Sequence, residues 1–131
     1  MADFKPIDKG IEATGKAIVD SAITVHKEMG PGLLESVYEE CLTFELRNRG
    51  FVVERQLEIP LVYQNKQLDS KLRLDLLIDH EVIVELKSVE QILEIHKAQV
   101  LTYLKLMNKR LAFLINFNVP LLKNGLKRFV L

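Results

Sequence analysis

Asp75, Glu85 and Lys87 are the residues of this sequence whose types and spacing suggest chemistry. They lie in the stretch Leu72–Lys87, LRLDLLIDHEVIVELK. Two strand-length apolar runs flank a polar break at Asp79, His80 and Glu81, which predicts a β-hairpin. Side chains alternate with period two, so Leu74, Leu76 and Ile78 are expected on one face of the first strand. Val82, Val84 and Leu86 share a face of the second. Burying both sets together places Leu76 across from Val84. The opposite face then sets Asp75 across from Glu85, with Lys87 beside Glu85 and Arg73 beside Asp75. A slip of one residue would break both arrangements. Directly opposed like charges destabilise a plain sheet. Oxygen-only ligands suit Mg²⁺ or Mn²⁺. The competing reading is a solvated sheet face that carries ordinary charges.

The elements that must position these residues follow from pattern. The chain has 131 residues and is 48% hydrophobic. That implies one domain, residues 1–131, with a real core. Lys plus Arg and Asp plus Glu each total 18, giving a formal net charge of zero. Any nucleic-acid contact must therefore come from a local patch. The single Cys41 excludes an internal disulfide and fits a reduced, cytoplasmic compartment. No apolar run approaches the roughly 20 residues that cross a bilayer, so no membrane is expected. The start, MADFKPIDKG, lacks an apolar signal core, and no targeting peptide is expected.

Ile11, Ile18, Ala22, Val25 and Met29 form one helical stripe over residues 7–29, with Asp8 as N-cap. Gly30-Pro31-Gly32 breaks it. A second helix is predicted over Leu33–Arg49, buried through Leu34, Val37, Tyr38, Cys41 and Leu42, with Gly50 at its end. Glu35 falls in its first turn, where a helix dipole alone would favour an acid. Phe51–Ile59 reads as a strand. Pro60 places it near a sheet edge, and a turn follows at Gln64-Asn65-Lys66. After the hairpin, a third helix over Glu94–Lys105 carries Gln99 and Tyr103 on one face. Leu111–Phe117 reads as a strand buried on both sides. Asn124-Gly125 is a turn signal between short extended pieces of the tail. The strands before and after the third helix should be parallel through a right-handed crossover. The fold class is α/β: an αβββαβ core, a mixed sheet flanked by helices, with an extra N-terminal helix.

That order, with Asp75 on the second strand and Glu85-Leu86-Lys87 on the third, resembles the PD-(D/E)xK nuclease superfamily. Leu74 departs from the Pro that often precedes the Asp. Gly32-Leu33-Leu34-Glu35-Ser36-Val37-Tyr38 spells GxxExxY and resembles the small family named for that motif. Ile95-His96-Lys97-Ala98-Gln99 and Leu114-Ile115-Asn116-Phe117-Asn118 are also similar to it. The resemblance covers roughly residues 15–131. It implies a metal site of Asp75, Glu85, the Leu86 carbonyl and Glu35, holding Mg²⁺, with Mn²⁺ as a substitute. It implies that Lys87 orients the attacking water and stabilises charge. Gln99 and Tyr103 match the QxxxY spacing of the RecB-like branch and would hold Lys87 or the scissile strand.

Such a metal would lower the pKa of bound water and screen the phosphate. The function implied is a metal-dependent nuclease hydrolysing phosphodiester bonds, with DNA as the expected partner. Its small size suggests a homodimer or a partner subunit. Lys105, Lys109, Arg110, Lys123, Lys127 and Arg128 are candidate phosphate contacts; ordinary surface charge is the plainer account. Arg73 would touch a phosphate or pair with Glu35 or Asp75. His26 and His96 read as structural or solvent-facing. No Cys/His set has zinc spacing, no glycine-rich phosphate loop precedes a helix, and Ser88 lacks triad partners. The alternative is a catalytically silent module that keeps the fold and binds nucleic acid or protein.

Overall fold

The computed structural model describes residues 5–131, so the first four residues of the segment considered for targeting lie outside the described residues. The elements follow the order α1 (Lys9–Met29), α2 (Glu35–Asn48), β1 (Val53–Tyr63), β2 (Lys66–Ile78), β3 (Val82–Lys87), α3 (Glu94–Met107), β4 (Leu111–Asn116) and β5 (Leu126–Val130). The described residues form a five-stranded sheet in the order β1-β2-β3-β4-β5. Strand β3 runs parallel to β4, and the other pairings are antiparallel. This mixed sheet with helices on both faces, and α1 added at the N-terminal side, is an α/β restriction-endonuclease-like fold. Among the described residues no helix is long and apolar enough to cross a membrane.

Helices α1 and α2 cover one face. Ile18, Ala22, Val25, Tyr38, Leu42 and Leu46 pack there on Leu76, Ile78, Val82, Val84 and Leu86. Asp8 caps α1 by accepting from Gly10 N and Ile11 N. A Cβ at Gly15 would lie 3.1 Å from Leu111 Cδ2, so glycine lets α1 sit close on β4. Helix α3 covers the other face, where Val100 and Leu104 meet Leu72, Leu74, Leu77, Ile83, Ala112 and Leu114. Strand β4 is buried throughout, as its unbroken apolar run requires. Strand β1 is an edge strand, and its ladder shifts between Pro60 and Val62, where a proline costs least.

Several expectations are corrected. Met29 and Leu34 are exposed (40% and 73%) because they sit at the two helix ends flanking the Gly30–Gly32 break. Strand β2 begins at Lys66, not Leu72. Its first half is exposed apart from the half-buried Leu68 and carries no apolar alternation to reveal it. Asn124-Gly125 lies in a short 3-10 turn, Leu122–Gly125, rather than in a hairpin between two extended pieces. A Cβ on Gly125 would overlap Asn116 O, so the backbone passes there too closely for any other residue. Only Leu126–Val130 is extended, and it pairs along β4.

The largest correction concerns β2. Leu74 does not share a face with Leu76 and Ile78. It packs with Leu72 under α3, while Leu76 and Ile78 pack under α1 and α2. The partner strand switches too: Val53 lies in the first cluster and Leu57 against the second. The ladder pairs Arg55 with Leu76 and Leu57 with Leu74, so the step between them sets Gln56 against Asp75. Gln56 has φ 47°, a left-handed conformation in the middle of a strand. Both strands turn over at this step, and the register is the same on either side of it.

Candidate active site

The site lies where β2 and β3 separate. Their ladder runs Ile78–Val82, Leu77–Ile83, Leu76–Val84 and then stops. Beyond it, side chains take over from the backbone. Glu85 Oε1 accepts from Asp75 N at 3.0 Å, and Asp75 Oδ2 accepts from Leu86 N at 2.8 Å. The register inferred from the apolar alternation therefore does bring Asp75 and Glu85 together. The reciprocal bonds orient both carboxylates and use one oxygen of each. Glu85 is only 5% exposed, and burial drives its pKa up to about 8. The neighbouring Asp75 carboxylate adds to the rise, while the Asp75 amide and Lys87 oppose it.

Glu35 reaches the site by a different route. The loop before α2 is held by Tyr38, whose hydroxyl donates to Gly30 O and accepts from Leu33 N. Ser88, just after β3, donates to Leu33 O and ties that loop to the end of the strand. Gly32 supplies φ 94° within it. Glu35 is thus set at the start of α2, where it lines a cleft of about 340 Å³ together with Ser36, Glu39, Gln56, Asp75 and Leu86. Partial burial raises the pKa of its carboxyl, Lys87 works against the rise, and Asp75 and Glu39 add to it.

Tyr38 itself is fully buried and stacked on Phe117, with ring centroids 4.4 Å apart. Its role is to hold the loop that carries Glu35. Tyr38→Phe keeps the stack and deletes both hydrogen bonds, so urea unfolding should show a loss of about 1–3 kcal/mol. Wild-type stability in that variant would remove the loop-holding role.

Tyr103 is half-buried on α3, one helical turn after Gln99. Burial raises its pKa first, and the Glu85 and Asp75 carboxylates then add to it, so its hydroxyl shares their field. Gln99 is exposed beside it. Lys87 is half-buried and, among the described residues, makes no ion pair within 4 Å.

Other candidates are placed elsewhere. Arg73 points away from Asp75 and pairs with Glu58 at 3.4 Å, because the strand turns over between them. His26 is buried, with Nε2 2.8 Å from Val119 O. His96 Nδ1 accepts from Leu93 N and caps α3. Of the six basic residues considered for phosphate contact, Arg110 donates to Leu131 O and Lys5 O, and Arg128 pairs with Glu12 at 2.7 Å. Lys123 and Lys127 are exposed near the end of β4 that adjoins Lys87, since Lys87 pairs with Asn116 and Ile115 with Leu126. Lys105 and Lys109 lie toward the opposite end, before Leu111.

Sequence reading missed Glu39, Arg55 and Gln56. Glu39 is 8% exposed, accepts from Arg55 at 3.1 Å and from the Gln56 amide, and Gln56 Nε2 lies 3.4 Å from Asp75 Oδ1. Glu39 falls four residues after Glu35 on α2, a spacing that puts both on one helix face. That was the available signal. Nothing in the local pattern marks Gln56.

A family model for the PD-(D/E)XK nuclease superfamily matches residues 12–129. The chain belongs to that superfamily. No curated protein and no solved structure matches it. Superfamily membership points to phosphodiester hydrolysis on a nucleic-acid substrate, and nucleases of this superfamily typically use divalent metals.

Among the described residues no group of three or more His, Cys, Asp or Glu converges as a ready metal cluster. Mg²⁺ does not need one, because it commonly keeps several waters and takes one or two carboxylates. Asp75 Oδ1 and Glu85 Oε2 are outside the reciprocal backbone bonds, and the pair is held together at the cost of mutual repulsion. Hard oxygen donors and two crowded acids fit a divalent cation. Glu35 lines the same cleft as Asp75 and Leu86.

Proposed function

We propose that this chain is a metal-dependent deoxyribonuclease of the GxxExxY type, hydrolysing phosphodiester bonds by activated water. The observation that carries the reading is the Asp75–Glu85 pair at the parting of β2 and β3, with Glu85 buried and its pKa raised to about 8. Asp75, Glu85 and the Leu86 carbonyl would hold Mg²⁺ or Mn²⁺, with Glu35 contributing through water. Bound there, the cation would acidify a water and screen the phosphate. Lys87 then orients that water and sets positive charge where negative charge develops on the phosphoryl oxygens. Tyr103 and Gln99 border the same field on the α3 side and steady Lys87 or the scissile strand. Ser88 and Tyr38 keep Glu35 on its side of the cleft. The exposed Lys123 and Lys127 supply phosphate contacts near the same end of the sheet. A homodimer would extend that grip, and the compartment expected is the cytoplasm.

The silent-module reading draws on one observation: Arg110 and Arg128 are engaged within the chain, which leaves fewer cations for a duplex. Incubation with plasmid, branched and single-stranded DNA in Mg²⁺ or Mn²⁺ separates the two. Metal-dependent cleavage lost in Asp75→Ala supports the nuclease. DNA retention with no cleavage under any metal supports the module.

A further inference from the structure

We propose that Gln56 is the positioning residue of this site: its side-chain amide, braced by Glu39, holds the Asp75 carboxylate in the orientation that meets a divalent cation. The inference rests on the nuclease reading above.

Gln56 is exposed, sits opposite Asp75 and has φ 47° within β1. A left-handed step in a strand is made most easily by glycine or asparagine. A glutamine there points to a reason in its side chain. That side chain lies between two carboxylates, Glu39 Oε1 and Asp75 Oδ1. Both neighbours are acceptors, so the amide must present its NH₂ group to them. One N–H is engaged by Glu39, and the other is left for Asp75.

Glu39 is in turn fixed. It is buried, and its second oxygen accepts from Arg55 Nε at 3.3 Å and from Arg55 Nη2 at 3.1 Å. The order of support runs from the guanidinium to Glu39, then to Gln56, then to Asp75. Leu86 N already holds Asp75 Oδ2, so Gln56 acts on the remaining oxygen, Oδ1. A carboxylate held at both oxygens cannot rotate away from its partner acid. Partners of this kind tune metal affinity without touching the metal.

Two variants test this. Gln56→Asn tolerates the left-handed backbone but shortens the arm by one methylene. Gln56→Gly keeps the backbone step and removes the arm. Titration calorimetry with MnCl₂ alone should show a roughly 10–100-fold weaker Kd in both. Melting temperature should hold for Gln56→Asn and hold or rise for Gln56→Gly. Cleavage should need more Mn²⁺ and recover its maximal rate when metal saturates. Variants that bind Mn²⁺ as tightly as wild type overturn the inference and leave the nuclease reading standing. Affinity that falls only in step with melting temperature also overturns it, because Gln56 would then serve the fold alone. A wild-type chain that binds no Mn²⁺ overturns the nuclease reading and this inference with it.

Discussion

Lys87→Ala should lower metal-dependent cleavage by on the order of 10²–10³-fold while the protein keeps its fold. The ammonium is half-buried at the end of β3 and, among the described residues, is in no ion pair. Its charge nevertheless bears on both Glu35 and Glu85. Removing it leaves no hydrophobic cavity of consequence, so circular dichroism and melting should stay close to wild type. The loss should appear in the maximal rate more than in DNA binding, because charge that develops in the transition state has lost its counterpart. Lys87→Arg should restore binding better than rate, since the guanidinium fork cannot place its charge where an ammonium does. Plasmid nicking in Mg²⁺, measured over a range of DNA concentrations, reads both quantities. An alanine variant that cleaves at the wild-type rate would remove Lys87 from the mechanism and leave the fold assignment untouched.

The second large effect is the pH dependence of the metal-free protein. The Glu85 carboxyl titrates near pH 8 in the fold, against an ordinary value of 4.5. The folded protein therefore keeps a proton that the unfolded chain releases. The stability linked to Glu85 is complete below pH 4.5 and falls as pH rises from 4.5 to about 8. Above that it stays at its lower level. A divalent cation favours the ionised form, so metal and proton compete, and binding releases protons.

Measurable results follow from the shifted proton and from that competition. The metal-free melting temperature should decline between pH 5 and pH 8. The rise produced by Mn²⁺ should be larger at pH 8 than at pH 5.5. Glu85→Gln, which resembles the protonated acid and can still accept from Asp75 N, should flatten the metal-free profile. It should also melt above metal-free wild type at pH 8, by on the order of 5 °C, and lose the Mn²⁺ response. A flat wild-type profile across this window would refute the account of Glu85 as a carboxyl forced against Asp75. It would also remove the electrostatic reason for a cation.

Apolar spacing carried much of this fold. The alternation of Leu76 and Ile78 against Val82 and Val84 contains the pairing of Leu76 with Val84, because that register buries all four on one face, and Asp75 meets Glu85 just beyond the end of that ladder. Asp8 could be named as a cap and β1 as an edge, since capping and proline effects are local. The Glu35 position was readable for a similar reason: its place in the first turn of α2 depends on the short segment around it. What stayed hidden depends on atoms distant along the chain. Period-two reading assumes an unbroken pleat, and the step at Gln56 and Asp75 breaks it in two strands at once, which sends Leu74 to the opposite face and Arg73 to Glu58. The polar start of β2 has no buried side to betray it. Glu39, Arg55 and Gln56 acquire their roles only when α2 is laid against β1, and Tyr38 and Ser88 only when the α2 entry loop meets the end of β3. Hydrogen bonds from side chains to remote backbone leave no periodic trace in a sequence, and they are what turn two nearby acids into an oriented pair.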